Sequence, residues 1–398
     1  MERSLGVVRS MGVTSAPPLL TRLGSYELIR LVAQGGMADI YLARHAAAPD
    51  RHLAVKVLNG QRAEDAEARA LFLDEARLLA MMSHPCLAAV SEVAVEGGVH
   101  YFAMEFVHGV DLRGLLAAAA KASRAIPYES AVAIVAAAAG GLDHAHRRCG
   151  PDGKPLQLVH RDVSLSNIMV GHDGSVKVVD FGIATATVSS HLTNPGIVRG
   201  KASYMSPEQC LGDPVDLRTD VFALGVVLYE LTTGRRCFQG ASDFERMLAV
   251  VRGEYVPPAA HVPEYPGDLA GVVTRALAID PAQRFASAAA LVEALDAVVA
   301  AHGWQSGAAA TRALMLDLFG DVTEPWVAMA ALVNEDTFVG DASGEIILPK
   351  ADPTVVVTKP RRIARGTEAE PRTDDEPTRG RRSAPRLWGG KPTSPVAA

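Results

Sequence analysis

The sequence predicts an α+β fold of two lobes, a small β-rich N-lobe followed by a larger helical C-lobe. Apolar and polar residues alternate in Tyr26–Val32, and similar short runs follow at Asp39–Ala43 and Leu53–Leu58. This period of two residues is typical of half-buried strands. After Gly109 the apolar residues mostly recur with helical spacing. Because strands come first and helices later, we expect two separate lobes with a cleft between them.

The other elements follow in chain order. Ala66–Met82 has the spacing of an amphipathic helix, and Leu87–Val95 and Val99–Phe106 return to strand-like patterns. The helical lobe is predicted from four further segments, Tyr128–Arg148, Leu217–Thr233, Ser242–Arg252 and Leu269–Leu277.

Composition divides the chain into four parts. Residues 1–24 lack periodicity and predict a disordered extension, and residues 25–300 form the domain, with lobes at about 25–108 and 109–300. Leu314 and Leu318 lie one turn apart, so residues 301–339 predict a helical appendage. Residues 340–398, rich in Pro, Thr and Arg, predict a disordered tail.

Charge and cysteine content exclude several classes of protein. The net charge of −6 over 398 residues gives no electrostatic reason to expect nucleic acid or an anionic membrane as a partner. Cys86, Cys149, Cys210 and Cys237 are widely spaced, which argues against a disulfide framework or a zinc site and favours a cytoplasmic location. No apolar run approaches the roughly 20 residues of a membrane span.

Two motifs carry the chemistry. His160–Asn167 contains Asp162 and Asn167, and Asp180-Phe181-Gly182 follows. Carboxylate and carboxamide oxygens are the hard ligands that Mg²⁺ prefers. Both motifs together, in this order, indicate phosphoryl transfer with magnesium.

With these motifs, Ala54-Val55-Lys56-Val57, Glu75 and Ser206-Pro207-Glu208, the chain resembles bacterial eukaryotic-type (Hanks-type) serine/threonine protein kinases from about Tyr26 to Leu295. The resemblance implies a bilobal protein-kinase-like fold. It also implies ATP and Mg²⁺ as cofactors and proteins as substrates, with the γ-phosphoryl group transferred to serine or threonine.

The resemblance assigns catalytic roles to five residues. Lys56 would reach the α- and β-phosphates and pair with Glu75 in the active state. Asp162 would orient the substrate hydroxyl as the catalytic base. Asn167 and Asp180 would bind Mg²⁺.

The nucleotide-binding residues follow from the same resemblance. The phosphate loop retains only one family glycine at its place, Gly35, while Ala33 and Ala38 replace two others, which predicts weaker or slower nucleotide handling. The expected nucleotide contacts are Val32, Ala33, Gln34, Gly35 and Gly36 in the loop, Met104, Glu105 and Val107 between the lobes, and Ile40, Ala54 and Met169 around the adenine. An apolar column of Leu79, Val90, His160 and Phe181 should mark the active state.

Ser164 departs from the family, which usually has lysine there, and Leu165 replaces the usual proline. Lys201 stands where the family usually has a threonine that contacts the catalytic aspartate. We hypothesise that Lys201 supplies the missing charge from the other side of the site. A lysine exposed to solvent beside a degenerate site is the alternative.

The resemblance also implies residues for regulation and support. Arg161 would gather a phosphorylated activation segment, with Thr193 and, as a lesser candidate, Ser203 as autophosphorylation sites. Glu208 should pair with Arg284. Asp220 should support the catalytic loop, which is the motif His160–Asn167.

Three functional questions stay open. A pseudokinase scaffold is the alternative function, because Ala33, Ala38 and Ser164 depart from the family. Tyrosine is a possible second acceptor, and a small-molecule kinase is a third reading. Possible partners are a second copy during activation and a phosphothreonine reader recruited by tail threonines, namely Thr367, Thr373 and Thr378.

Overall fold

The computed structural model describes residues 22–150, 152–181 and 202–327. The first part of the chain forms an antiparallel sheet in the order β1-β2-β3-β4-β6-β5. Its strands are β1 (Arg22–Leu23), β2 (Tyr26–Gln34), β3 (Ala38–His45), β4 (Ala48–Leu58), β5 (Val90–Glu96) and β6 (Val99–Glu105).

Alternation along β4 decides which side chains reach the cleft. Leu53, Val55 and Val57 are buried in a small cluster on one face of the sheet. Ala54 and Leu58 belong to the main core on the other face. Because successive side chains of a strand point to opposite faces, Lys56 lies on the face of the main core.

Two helices cover that face, α1 (Gly60–Ala63) and α2 (Ala66–Ala80). The side chain of Asp65 begins α2 by accepting hydrogen bonds from the N–H groups of Glu67 and Ala68. Phe72 packs against Phe102 of β6, with ring centroids 5.1 Å apart. This packing turns the buried Glu75 toward the sheet.

The C-lobe is organised around one central helix, α6, whose residues Thr219–Thr232 are all buried. A helix that is buried on every side belongs in the middle of a core. The helices of this lobe are α3 (Leu112–Lys121), α4 (Tyr128–His146), α5 (Pro207–Leu211), α6 (Arg218–Thr233), α7 (Asp243–Arg252), α8 (Pro258–His261), α9 (Gly267–Ala276), α10 (Ala288–His302) and α11 (Ala308–Phe319).

A second sheet, which the sequence patterns did not predict, lies where the lobes join. It has three antiparallel strands, β7 (Gly109–Asp111), β8 (Ile168–Gly171) and β9 (Val176–Val178), in that order. The predicted strand from Leu87 begins instead at Val90. Leu87 bridges to Val178 of β9 in parallel fashion, so this stretch of the chain joins the second sheet.

The end of the domain also differs from the prediction. The boundary expected at residue 300 falls inside α10, which continues to His302. The expected helical periodicity is interrupted at Gly303, whose left-handed backbone with φ 64° ends α10. Gly307, with φ 69°, lies immediately before the next helix. Helix α11 follows and buries Leu314 and Met315 in the main core.

Several expectations lie outside the described residues, including the two terminal segments, Thr193 and Lys201. Within the described ranges, no helix has the length and apolar character needed to cross a membrane. All four cysteines are free thiols.

Candidate active site

Lys56 connects the two lobes at the centre of the cleft. Its Nζ donates to Glu75 Oε1 of α2 at 2.8 Å and to Asp180 Oδ1 of the C-lobe at 2.9 Å. The side chains of Lys56 and Glu75 are only 12% and 11% exposed, whereas that of Asp180 is 41% exposed. The Lys56–Glu75 pair expected from the sequence is therefore present, and Asp180 faces the open side.

The electrostatics keep Lys56 charged. Burial by itself would lower the pKa of Lys56, but the carboxylates of Asp180 and Glu75 outweigh burial and hold the pKa above its ordinary value. Burial raises the pKa of Glu75 despite the nearby lysine. The ammonium group is thus a fixed cation at neutral pH, as a phosphate-binding group requires.

Asn167 holds Asp162 in place. The Nδ2 group of Asn167 donates to the Asp162 carbonyl oxygen at 2.8 Å and to its carboxylate Oδ2 at 2.9 Å. The Val179 N–H donates to the carbonyl oxygen of Asn167 at 3.0 Å, which connects this loop to the strand before Asp180. The two predicted motifs therefore meet, and the carboxylate of Asp162 has a defined orientation.

Asp220, in the first turn of α6, anchors the catalytic loop. Its carboxylate accepts hydrogen bonds from the N–H groups of His160 at 2.8 Å and Arg161 at 2.9 Å, and His146 Nε2 lies 2.8 Å away. Burial would raise the pKa of Asp220, but the contact with His146 and the neighbouring donors outweigh burial and lower it. Sequence reasoning missed the contribution of His146, because the contact spans 74 positions.

Two residues of the site have left-handed backbone, Arg161 with φ 64° and Asp180 with φ 54°. Such angles are unfavourable for residues with a Cβ and persist where the surroundings impose them. At Arg161 the surroundings are Asp220, which binds its N–H, and Gln209, whose Nε2 donates to its carbonyl oxygen at 2.9 Å. Gln209 is a second residue that the sequence did not single out.

The predicted pair of Glu208 and Arg284 is bidentate. Two guanidinium nitrogens of Arg284 donate to the two carboxylate oxygens of Glu208 at 2.7 and 2.8 Å. The Thr219 hydroxyl donates to Glu208 at 2.7 Å, and the guanidinium group lies over the ring of Phe222. This network ties α5 to α6 and to the loop before α10.

The apolar column is assembled around His160. Its ring lies 4.5 Å from that of Phe181, and Leu79 and Phe181 are both buried in the main core, with Val90 partly buried against it. His160 Nε2 lies 3.2 Å from the Val179 carbonyl oxygen, while Nδ1 receives the N–H of Asp162 at 3.2 Å. Because a carbonyl oxygen only accepts, this pattern assigns the proton of a neutral ring to Nε2.

The phosphate loop is a tight hairpin between β2 and β3. The Gly35 N–H donates to the Ala38 carbonyl oxygen at 3.0 Å, and a Cβ on Gly35 would lie 2.8 Å from that oxygen. Ala33 and Ala38 are in the strands and have no positive φ, so these alanines impose no backbone strain on the loop.

Asn59 fastens this hairpin to the end of β4. Its Nδ2 donates to the Gly35 carbonyl oxygen at 2.8 Å, and its N–H donates to the Met37 carbonyl oxygen at 2.9 Å. Although Asn59 occupies the N-cap of α1, its side chain makes no capping bond there. No sequence pattern had pointed to this residue.

The expected adenine contacts lie along the segment between the lobes. Ala54 and Met104 are partners across β4 and β6, and both are buried. Glu105 turns its carboxylate to Lys177 of β9, 2.7 Å away. This ion pair, which the sequence did not predict, connects the interlobe segment to the C-lobe. The other expected contacts are partly buried or exposed around the cleft, namely Val32, Gln34, Gly36, Ile40, Val107 and Met169.

Two serines have little access to solvent. Ser164 is 2% exposed, and its hydroxyl lies 3.0 Å from that of Ser166. Ser203 is 1% exposed in the short turn Ala202–Tyr204. Modification of Ser203 would need this turn to open, which weighs against it as an autophosphorylation site.

The fold and this cleft define a protein kinase domain. The pattern of the protein kinase domain family matches residues 26–295, and the chain belongs to that family.

The relatives of this chain include a protein described as a tyrosine kinase and proteins described as serine/threonine kinases. The chain is 37% identical over 306 residues to the tyrosine-protein kinase MasK of Myxococcus xanthus, covering 76% of this chain and 47% of MasK. It is 33% identical to the serine/threonine-protein kinase PrkC of Bacillus subtilis, covering 67% of this chain and 39% of PrkC. For PknB of Mycobacterium tuberculosis, also a serine/threonine-protein kinase, the identity is 37% over 66% of this chain and 41% of PknB. The chain thus spans less than half the length of these relatives.

A solved structure agrees with the fold. The kinase domain of Mycobacterium tuberculosis PknI superposes with a TM-score of 0.52 at 29% identity, covering 69% of this chain and 97% of that chain.

Proposed function

We propose that this chain is an ATP- and Mg²⁺-dependent protein kinase that transfers the γ-phosphoryl group to serine or threonine hydroxyls of proteins. The observation that carries the proposal is the contact of Lys56 with both Glu75 and Asp180, beside an Asp162 carboxylate oriented by Asn167. Phosphoryl transfer depends mainly on positioned charges, and the contacts of these residues support that chemistry.

The residues fit the nucleotide and the metal. Lys56 would bind the α- and β-phosphates through its fixed positive charge. The oxygens of Asn167 and Asp180 would hold Mg²⁺, which neutralises charge that develops on the phosphates. Asp162 would orient the acceptor hydroxyl and receive its proton.

Serine and threonine are proposed over tyrosine because PrkC and PknB carry that description. MasK is described as a tyrosine kinase, so the specificity needs its own test. Phosphoamino-acid analysis of the autophosphorylated chain should yield phosphoserine and phosphothreonine. Phosphotyrosine as the main product would assign the chain to the other specificity.

We also propose activation by autophosphorylation at Thr193, with a second copy of the chain as a possible partner in that step. A phosphothreonine at Thr193 would add about −1.5 to −2 charge, which Arg161 could bind. A cytoplasmic location is proposed because the four cysteines are free thiols and the reaction uses ATP. A phosphothreonine reader recruited by the tail is a further proposed partner.

The alternative function is a pseudokinase scaffold, favoured by Ser164 in place of the usual lysine. The buried Ser164 hydroxyl bonds to Ser166 and supplies no positive charge. We propose that Lys201 supplies this charge during the reaction. Binding of ATP without any labelled product would support the scaffold instead.

A further inference from the structure

A groove beside the catalytic loop, in the C-lobe, has a volume of about 980 Å³. Ser164 and Ser166 line it near the catalytic loop, together with Tyr204. Its other walls are the end of α3, the start of α4 and the turn after α6. A peptide in this groove would therefore lie beside the catalytic loop.

The groove has a basic lining. Among the described residues that line it are four arginines and one acidic residue, Glu230. The Glu230 carboxylate is 4% exposed and accepts hydrogen bonds from the Tyr204 hydroxyl at 2.6 Å and the Cys237 N–H at 3.2 Å. These hydrogen bonds are made within the protein. The charge of Glu230 also acts on Arg236 and offsets part of the positive charge, but the described lining still has more basic than acidic side chains.

The four arginines differ in their partners. Arg113 pairs with Asp111 at 2.8 Å, and Arg124 pairs with Asp317. Arg235 and Arg236, in the turn after α6, are exposed, and no ion pair is found for them among the described residues. These two side chains are the cations of the groove that remain available to a ligand.

The charges of two arginines also reach Tyr204. Burial and the neighbouring Glu230 raise the pKa of Tyr204, while Arg236 and Arg113 act in the opposite direction. Both arginines are therefore electrostatically close to the residue next to the catalytic loop.

We propose that this groove binds an acidic peptide segment, and that its occupant is Thr367–Thr378 of this chain as a phosphorylation substrate. The proposal rests on the proposed kinase activity. The segment carries five acidic residues and one arginine, and its acidic run Asp374–Glu376 lies between Thr373 and Thr378. The segment is complementary in charge to Arg235 and Arg236 and has hydroxyls on either side of the acids.

The segment has the reach for either an intramolecular or an intermolecular reaction. Thr367 lies 40 positions after Val327, and this stretch spans at most roughly 130 Å when extended. In the reaction, a bond forms between a threonine Oγ and the γ-phosphorus as the bond to the bridging oxygen of ATP breaks. ADP leaves, and the hydroxyl proton passes to the carboxylate of Asp162.

The test uses the purified full chain and two synthetic peptides. One peptide has the sequence 367–380, and the other has its five acids replaced by the matching amides. The acidic peptide should have the lower KM. Arg236→Glu should raise the KM for the acidic peptide about three- to tenfold but should not raise the KM for the amide peptide, which keeps two arginines. Arg148→Glu is the matched control, since this exposed arginine lies beyond the opposite end of α4.

Equal KM values for the two peptides, or equal effects of Arg236→Glu and Arg148→Glu, would overturn the proposal. An unlabelled tail peptide beside a labelled activation segment would also overturn it, while leaving the proposed kinase activity intact. A chain that labels nothing at all would contradict both.

A second observation concerns Trp326, which follows α11. Its ring stacks on His52 of β4 with centroids 4.3 Å apart and planes at 6°. It also lies 5.8 Å from the ring of Phe106 and 6.1 Å from that of His108, which are in the segment between the lobes. Residues 303–327, which follow α10, form a C-terminal extension of the C-lobe. Its residue Trp326 therefore contacts the N-lobe and the interlobe segment.

Helix α11 fixes the start of this extension on the C-lobe. The Ser130 hydroxyl of α4 donates to the Ala310 carbonyl oxygen at 3.1 Å. At the other end of α11, the ring of Phe319 lies 5.7 Å from that of His172, which lies 4.8 Å from His108. A continuous chain of ring contacts thus runs through Phe319, His172, His108, Trp326 and His52.

We infer that Trp326 is a positioning residue that sets the orientation of the N-lobe at the adenine end of the cleft. Aromatic pairs contribute about 0.5–1.5 kcal/mol beyond buried area, so Trp326→Ala should raise the KM for ATP about two- to tenfold with little change in kcat. Trp326→Phe should recover most of the affinity.

Trp304→Ala is the matched control, because Trp304 stacks on Tyr128 and His302 within the C-lobe. It should lower thermal stability without changing the KM for ATP. The inference is wrong if both alanine variants leave the KM for ATP at the wild-type value, or if they raise it equally.

Discussion

Individual side chains in the cleft are held by contacts that fit the functions proposed for them. Lys56 is directed to the cleft by strand alternation and kept charged by Asp180 and Glu75. Asp162 is oriented by a carboxamide that donates to it twice. In both cases the functional group is preorganised, which is how a phosphotransferase site lowers its barrier.

Asn59 should matter for nucleotide binding although it is not a family motif residue. Asn59→Ala removes one hydrogen bond to the phosphate loop, worth about 0.5–1.5 kcal/mol, so the KM for ATP should rise about two- to tenfold. The kcat should hold, because the catalytic loop is untouched. Steady-state kinetics with varied ATP measure both.

Asn59→Asp provides the control for shape. It keeps the size of the side chain but replaces the donor by a carboxylate that repels the Gly35 carbonyl oxygen, so it should raise the KM for ATP at least as much as Asn59→Ala. A wild-type KM in both variants would show that the bond to Gly35 does not position the loop.

Lys201 is the residue on which the compensation hypothesis depends. Loss of a preorganised charge at a transition state costs about 3–4 kcal/mol, so Lys201→Ala should lower kcat by about 10²–10³. Lys201→Arg keeps the charge and should retain more activity. A change in kcat below about threefold for Lys201→Ala would show that Lys201 does not supply the positive charge missing at Ser164.

The sequence identified the candidate catalytic side chains, but it did not identify several residues that position the loops around them. Lys56, Asp162 and Asp180 could be found because motif spacing and strand period are local properties. His146, Lys177 and Gln209 could not, because each acts through a partner at least 48 positions away. Only the folded chain brings such partners together.

At the scale of elements, α5 and α6 connect the substrate side of the site to the core. Ser206 begins α5 with a capping box that includes Gln209, and Gln209 then reaches the catalytic loop. Glu208, one position earlier on α5, is bound by Arg284. A single short helix therefore carries both contacts.

Breaking the Glu208–Arg284 pair should destabilise the C-lobe. Glu208→Gln leaves a buried guanidinium without its counterion, a change that typically costs about 3–5 kcal/mol in the free energy of unfolding. Chemical denaturation at pH 7 measures the loss. Glu293→Gln, an exposed glutamate on α10, is the control and should be nearly neutral.

The same pair predicts a pH dependence. Burial would raise the pKa of Glu208, but the hydrogen bonds from Arg284 and neighbouring donors outweigh it and lower the pKa below 4.5. The stabilisation is therefore complete above pH 4.5 and lost as the pH falls through the lower folded value. The difference in stability between wild type and Glu208→Gln should shrink in that acidic range. A difference that stays constant down to pH 3 would contradict this origin.

The sequence predicted most elements, and the exceptions have physical reasons. Strands β7–β9 are only three or four residues long, too short for a period of two to stand out. The break between α10 and α11 depends on Gly303 and Gly307, and a glycine inside a helical pattern does not by itself end a helix.

At the scale of the whole molecule, contacts join the lobes across the cleft. Lys56 binds Asp180, and Lys177 of β9 binds Glu105 at the end of β6. Trp326 adds an aromatic contact from the C-terminal side. Together these contacts join the two lobes around the cleft, and the His160–Phe181 contact of the expected apolar column is also present.

The central claim is that this cleft transfers a phosphoryl group. The most direct measurement is autophosphorylation of the purified chain with radiolabelled ATP and Mg²⁺, compared with Asp180→Asn. The account predicts label on the wild-type chain that is lost in the variant, since the asparagine keeps the size of the side chain but removes its charge. An unlabelled wild-type chain that still binds ATP, or equal labelling of both proteins, would contradict it.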